Sequence, residues 1–268
     1  NFDIDKMFSW VFDGCTAADG RTGWGVTSGR WGDYDIAGLQ GSLIDGGGFA
    51  FLMNSIDLAW PFVPMVKYQP QYARAIGKWM LNNVNSCRLF FPDQLPDELQ
   101  CLPGMQGFTN SIIAYEGLRY QDDRYMREEH AGKHPIALGD GPLWNENNPP
   151  ESMFSVYSTS AVGILGAIVR TTDVEGILRL DCNATDFYAS KPYPVFLMYN
   201  PHKQAKEVTY ELFGKGRRDL LDVVSGKYLA TGVGKSAKIV IDADSAALVA
   251  EIPAGHKVKD NTVLYNEK

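Results

Sequence analysis

Three runs near the C-terminus decide how this chain is read: YNPHKQAKEVTYEL (199–212), DLLDVVSGKYLATGV (219–233) and AKIVIDADSAALVAEIPAG (237–255). Val208, Tyr210 and Leu212 fall on alternate positions, the period of a strand with one buried face. The second run reads as a hairpin through Ser225 and Gly226, and the third as two strands about Asp242 to Ser245. Upstream, ILRLDCNA puts Leu178, Leu180 and Cys182 on one face, and VFLMYNP ends at a turn that Pro201 enforces. Six or so short strands, spaced at about 8 to 12 residues, predict an antiparallel β-sandwich over 176–268, with its continuous part beginning near Tyr193.

Ahead of these strands the periodicity changes, and residues 1–175 are expected to form a helical domain. Residues 1–48 are rich in Gly, Asp and Trp and read as loop. Asp45 and the Gly46–Gly48 triplet precede an apolar stretch from Phe49 to Trp60, halted by Pro61 and Pro64, so Asp45 is placed like a helix cap. The clearest helix starts at Pro70, with Tyr72, Ala73, Ile76, Trp79, Met80, Val84, Cys87 and Phe90 recurring at three- and four-residue steps. Its other face carries Arg74, Lys78, Asn82 and Asn85. FFPDQLPDELQ reads as loop, Phe108 to Leu118 as a short helix or turn, Arg119 to Pro150 as a polar stretch, and Ser158 or Thr159 caps a helix running to Arg170. Three or four helices result.

Composition narrows the function. Of 268 residues, 45% are hydrophobic and 21% charged, enough to build a core. The net charge of −7 and the scattered Lys and Arg argue against nucleic acid, which demands clustered cations. No apolar run reaches the length of a membrane span. The chain starts at Asn1, which leaves two readings open, a removed signal peptide or a piece of a longer chain. Cys15, Cys87, Cys101 and Cys182 lack the spacing of a zinc site; they read as buried thiols, with a Cys87–Cys101 disulfide as the alternative. His130 and His134 share helical spacing, but HAGKH lacks the glutamate of a zinc-protease motif. Asp93, Asp97 and Glu98 lack a calcium-loop pattern. No nucleotide or dinucleotide loop is present, and neither a metal nor a cofactor is expected.

The three C-terminal runs, with their YNP strand end, D-x-x-S-G-K hairpin and final I-x-A-D-S-A strand, resemble the β-sandwich appended to many carbohydrate-active enzymes. The helical half before them looks like part of an (α/α) toroid, the scaffold of many glycoside hydrolases and polysaccharide lyases. A full toroid needs about twelve helices, so the resemblance implies an α+β multidomain chain: a partial (α/α) toroid followed by an antiparallel β-sandwich, the end of a larger protein. It also implies a secreted or periplasmic place, a poly- or oligosaccharide partner, and the remainder of a larger chain or a second subunit.

Glycosidic cleavage uses two carboxyl groups, one protonated and one ionised. Asp45, beside bare glycine backbone, and Glu116, in AYEGLRY between Tyr115 and Arg119, are the candidate acid/base pair. A helix cap for Asp45 and an ion pair with Arg119 for Glu116 are the alternatives. Trp24, Trp31, Asp33, Tyr34, Asp35, Trp60, Tyr115 and Arg119 are candidate sugar contacts, since sugar rings stack on aromatic faces while their hydroxyls seek acceptors. Asp33 and Asp35 read equally as a solvated turn. A non-catalytic glycan-binding or structural module is the rival expectation. The Asn183-Ala184-Thr185 triplet matches a glycosylation acceptor and is read as chance.

Overall fold

The computed structural model describes residues 30–31, 34–35, 59–86, 113–119, 136–142, 163–187, 193–259 and 262–264. The chain divides into two compact units, Asn1–Leu58 with Asn82–Gly163, and Ala59–Leu81 with Ile164–Lys268.

In the first unit the described strands form two antiparallel pairs. Strands β1 (Arg30–Trp31) and β2 (Tyr34–Asp35) pair with Trp31 opposite Tyr34. Strands β3 (Ile113–Arg119) and β4 (Ile136–Pro142) pair from Ile113 opposite Pro142 to Arg119 opposite Ile136. Of the segment from Phe108 to Leu118, expected as a short helix or turn, the part from Ile113 onward is strand, and 108–112 lie outside the described residues. Gly117 disfavours a helix interior, and register shifts between Ile113, Tyr115 and Gly117 interrupt the two-residue period by which a strand is recognised.

The second unit carries a six-stranded antiparallel sheet of order β10-β9-β12-β7-β6-β5. Its members are β5 (Val169–Thr171), β6 (Leu178–Asp181), β7 (Val195–Asn200), β9 (Arg218–Asp222), β10 (Lys227–Val233) and β12 (Ser245–Pro253). A second sheet pairs β8 (Lys206–Glu211) with β11 (Ser236–Ile241), and β13 (Lys257–Lys259) pairs with β14 (Thr262–Leu264). One apolar cluster joins the six-stranded sheet to the β8–β11 pair: Phe196, Met198, Leu220, Ala247 and Val249 from the first, Val208, Tyr210, Ile239 and Ile241 from the second. Alternation decides the inward residues of β8 and β11, whereas all six residues of β7 are buried because both of its faces are covered.

Helical structure on the other face of β7 is short. Helix α1 (Ala59–Met65) begins where the apolar stretch was expected to stop. Pro61 falls in its first turn, where no backbone donor is needed, and Pro64 in its last. A 3₁₀ turn (Pro70–Tyr72) leads into α2 (Ala73–Ser86), whose Ala73, Ile76, Trp79 and Met80 are buried, as the spacing from Pro70 requires. Phe62 packs edge-on against Trp79, ring centroids 5.5 Å apart. Residues 163–168, the described part of helix α3, give way to β5.

These observations overturn the expected partial (α/α) toroid followed by a β-sandwich. Among the described residues the chain is mostly antiparallel β-sheet with few, short helices, and three helices of this length cannot form toroid hairpins. The carbohydrate-active toroid resemblance and the glycoside-hydrolase-like description that came with it fall on the same ground. The amphipathic spacing in α2 reports a helix laid against a sheet, a setting that needs one apolar stripe just as a helix bundle does.

Turns in the second unit are organised by buried polar side chains. Asp222 Oδ1 accepts from the Val224 and Leu248 backbone, and its Oδ2 from the Ser225 N–H and hydroxyl, which closes the β9–β10 hairpin and ties it to β12. Asn200 Nδ2 donates to the carbonyls of Gln204, Ile241 and Asp242, while its Oδ1 accepts from the His202 N–H. Buried polar groups with their bonding capacity used specify one arrangement of the chain.

Candidate functional site

Pro64 has no N–H, so in α1 it cannot bond the Trp60 carbonyl one turn back. That oxygen instead accepts from the Thr185 hydroxyl at 2.8 Å, which fastens α1 to the loop after β6. The same loop meets the turn after α1 through a tight polar knot. Lys67 Nζ lies 2.5 Å from Asp186 Oδ2 and donates to Asn183 Oδ1 at 2.7 Å; the Tyr68 hydroxyl donates to Asp186 Oδ2 at 2.9 Å. The side chains of this ion pair are only 11% and 4% exposed.

Around the knot stand three large aromatics that the fold leaves open. Trp60 is 46%, Tyr68 63% and Phe187 78% exposed. Their neighbourhood follows from the bonds just described: Trp60 is held through Thr185, Tyr68 through Asp186, and Phe187 directly follows Asp186. The Lys67 ammonium stands 5.7 Å from the Tyr68 ring centroid, within reach of its π-face. Hydrogen bonding to Asp186, with burial and the negative charge of Asp186 added, raises the Tyr68 hydroxyl above the ordinary tyrosine range and keeps it a donor. Chemically, what is exposed here is aromatic surface with the Tyr68 hydroxyl beside it, while the Asp186 carboxylate is held out of solvent.

Asn183 is fully engaged in this arrangement. Its Nδ2, the atom a glycosylation would take, donates to the Tyr193 carbonyl at 2.7 Å.

A second concentration of charge lies in the core and is closed. The Glu251 carboxylate is fully buried; Oε1 accepts from the Tyr210 hydroxyl and the Phe213 N–H, each at 2.9 Å, and Oε2 from the Gly214 N–H at 2.7 Å. Arg179 supplies the countercharge at 3.6 Å, its guanidinium 3.7 Å from the Phe196 ring centroid and 4.5 Å from that of Tyr210. Burial, followed by the charge of Glu251, pushes the Tyr210 hydroxyl far above the usual tyrosine range. With both carboxylate oxygens taken up by the protein, this centre holds the 212–214 segment in place and presents nothing to a ligand.

The residues singled out from sequence divide as follows. Trp24, Asp33 and Asp45 lie outside the described residues. Trp31 faces Tyr34 across the β1–β2 pair, and Asp35 faces Arg30. Tyr115, Glu116 and Arg119 sit on β3, where Tyr115 pairs with Gly139 and Arg119 with Ile136. Trp60 stands in the exposed patch. Sequence reasoning missed Lys67, Tyr68, Asp186 and Phe187, because the Tyr68–Asp186 bond spans 118 positions. No motif marks such a meeting.

Among the described residues no group of three or more His, Cys, Asp or Glu is arranged to hold a metal ion, and no helix is long and apolar enough to cross a membrane.

No protein-family model and no curated protein matches the chain. Among solved structures, part of the chain is similar to an Anoxybacillus α-amylase described as giving insight into a new glycosyl hydrolase subclass, at 13% identity and a TM-score of 0.25. The likeness covers 43% of this chain and 25% of the amylase, so the chain spans about a quarter of that protein, and a resemblance this slight carries no weight for fold or activity.

Proposed function

We propose that this chain binds a poly- or oligosaccharide through the patch formed by Trp60, Tyr68 and Phe187, and that it does so outside the cytoplasm, secreted or periplasmic, where such polymers are met. The observation that carries the reading is the exposure of three large aromatics pinned to one polar knot. Scattered exposed apolar residues are ordinary, but a group of aromatics held together beside hydrogen-bonding side chains has the composition of a recognition surface. Sugar rings present apolar faces to aromatic side chains and hydroxyls to the rim, and the hydroxyl of the exposed Tyr68 supplies a polar group there. The ion pair and the Thr185 bond fix the backbone in advance, which lowers the ordering cost of binding.

The test is a set of Trp60→Ala, Phe187→Ala and Trp60→Ala/Phe187→Ala chains, screened by affinity electrophoresis in gels containing soluble polysaccharides. Stacked aromatics contribute about 1 kcal/mol each, so the double variant should lose roughly tenfold or more in affinity while its circular dichroism stays native. Retention of full affinity by the double variant removes the patch from the binding site. The same panel, assayed for new reducing ends with Asp45→Asn and Glu116→Gln, separates binding alone from cleavage of the glycosidic bond by those two carboxyls.

A further inference from the structure

The loop between β8 and β9 opens on Phe213, 70% exposed, and then carries Lys215, Arg217 and Arg218 around Gly214 and Gly216. We infer that this loop is a second glycan contact, for a sugar that bears an oxyanion, a uronate carboxylate or a sulfate ester. Phe213 meets the ring, and the three cations meet the charge. The inference rests on the glycan-binding reading and adds a site and a ligand class to it.

The loop is held ready. Glu251, buried beneath it, accepts from the Phe213 and Gly214 N–H groups at 2.9 and 2.7 Å, and the Phe213 ring packs edge-on against Phe196, centroids 5.8 Å apart. At its other end the Arg217 carbonyl accepts from the Ala254 N–H, and Asp219 accepts from the Gly232 and Gly255 N–H groups. A Cβ on Gly214 would stand 3.1 Å from Arg218 Nε and 3.3 Å from its Nη2, so the bare glycine lets the guanidinium lie against the loop backbone. There Nε is enclosed without a hydrogen-bond partner, and among the described residues no carboxylate is in ion-pair contact with Lys215, Arg217 or Arg218; Glu251 pairs with Arg179 instead. A half-buried guanidinium in this state gains charge-assisted hydrogen bonds from an oxyanion that reaches its Nη atoms. Lys215 and Arg217 are exposed on the same loop, and Lys235, whose carbonyl accepts from the Leu212 N–H, adds a fourth positive charge beside it. The net charge of −7 opposes polyanions at long range, so the attraction is local to this group.

The native chain, Lys215→Gln/Arg217→Gln and Trp60→Ala/Phe187→Ala are titrated calorimetrically with polygalacturonate, chondroitin sulfate, soluble starch and oligothymidylate, at low and at high sodium chloride. Both replaced cations are exposed, so the loop variant should keep its native circular dichroism and its binding of starch. It should bind the acidic glycans at least about tenfold more weakly, with a shallower dependence on salt. The tighter of the two acidic polymers distinguishes carboxylate from sulfate. Acidic-glycan affinity unchanged in the loop variant, or starch bound by the native chain and neither acidic polymer bound, overturns the inference and leaves glycan binding intact. Oligothymidylate bound as tightly as the acidic glycans also overturns it, since the loop would then answer to charge alone. Acidic-glycan binding lost in the loop variant and kept in Trp60→Ala/Phe187→Ala supports this site and removes the aromatic patch. Silence toward all three polysaccharides removes the glycan reading and this inference with it.

Discussion

Gly77 on α2 and Tyr199 on β7 approach so closely that a methyl group does not fit between them: a Cβ on Gly77 would stand 2.5 Å from the Cβ of Tyr199. The obstacle is the root of a side chain on a central strand, which cannot swing aside as the tip of a long residue can. Gly77→Ala should therefore destabilise the chain even though alanine suits a helix better than glycine by about 1 kcal/mol. Overpacking of this kind costs about 1 to 3 kcal/mol. Gly166, within the 163–168 helix, has nothing within 4 Å of its would-be Cβ, and Gly166→Ala should be neutral or stabilising. Urea titration followed by circular dichroism compares the two; equal effects would mean that α2 does not seat on Tyr199.

The buried Glu251 centre predicts an ordering of mutational costs. Glu251→Ala strands the Arg179 charge, the Tyr210 hydroxyl and two backbone donors at once, and should cost about 3 to 5 kcal/mol. Tyr210→Phe removes a single hydrogen bond and keeps the ring against Phe196 and Arg179, so about 1 kcal/mol is expected. A near-neutral Glu251→Ala in equilibrium unfolding would show that Arg179 finds solvent readily and that the centre is not what holds the 212–214 segment.

How much of this was legible beforehand depends on how far apart the cooperating residues lie. The run VFLMYN announces β7, Val208 and Tyr210 announce the inner face of β8, and Pro70 with its three- and four-residue steps announces α2, because each signal sits within one element. What α2 packs on is absent from its own pattern, so a helix lying on a sheet was read as part of a helix barrel. β3 was obscured by its irregular register, and α1 by two prolines tolerated at its ends. Of the candidate site, Trp60 could be picked out by residue type; its companions Tyr68 and Phe187 acquire meaning only when the loop carrying Asp186 folds against the turn carrying Lys67.

The turn between β11 and β12 predicts a pH response. Asp244 holds a left-handed backbone, φ 47°, accepts a 2.6 Å bond from the Tyr199 hydroxyl, and is paired with Arg74 of α2. Burial pushes its carboxyl up, but the Tyr199 hydroxyl, Arg74 and Lys78 together outweigh this and hold it below the ordinary range. A depressed folded value means that the contribution is present above the unfolded pKa, about 3.9, and is lost as pH falls through the folded one. Tyr199 behaves oppositely: burial, then Asp244, raises its hydroxyl, so its contribution is present below the unfolded value, about 10, and fades as pH rises through the folded one. Urea midpoints from pH 3 to 11 should fall at both ends, and Asp244→Asn should flatten the acid limb. Because the Arg74 and Asp244 side chains are roughly half exposed, added salt should shrink the acid effect. An acid limb unchanged in Asp244→Asn would move its origin elsewhere.

Cys182 is a free thiol with no exposed surface, set between β6 and the loop that carries Asp186. Burial drives its pKa far above the usual thiol range; Lys67 pulls against this, Asp181 adds to it, and burial prevails. Since the thiolate is the reactive form, Cys182 should resist alkylation while the chain is folded. Iodoacetamide at pH 8, followed by digestion and mass spectrometry, should leave the Cys182 peptide unmodified in native buffer and modify it fully in denaturing urea. Reading by peptide keeps Cys182 apart from Cys15, Cys87 and Cys101, so the result reports on this loop alone. The rate of modification at intermediate urea then measures how often the loop after β6 opens, and Lys67→Met, which removes the ammonium paired with Asp186, should raise that rate. Native labelling at the speed of an unprotected thiol would mean that the loop, and with it the aromatic patch it helps to hold, is not fixed in the way the Lys67–Asp186 pair implies.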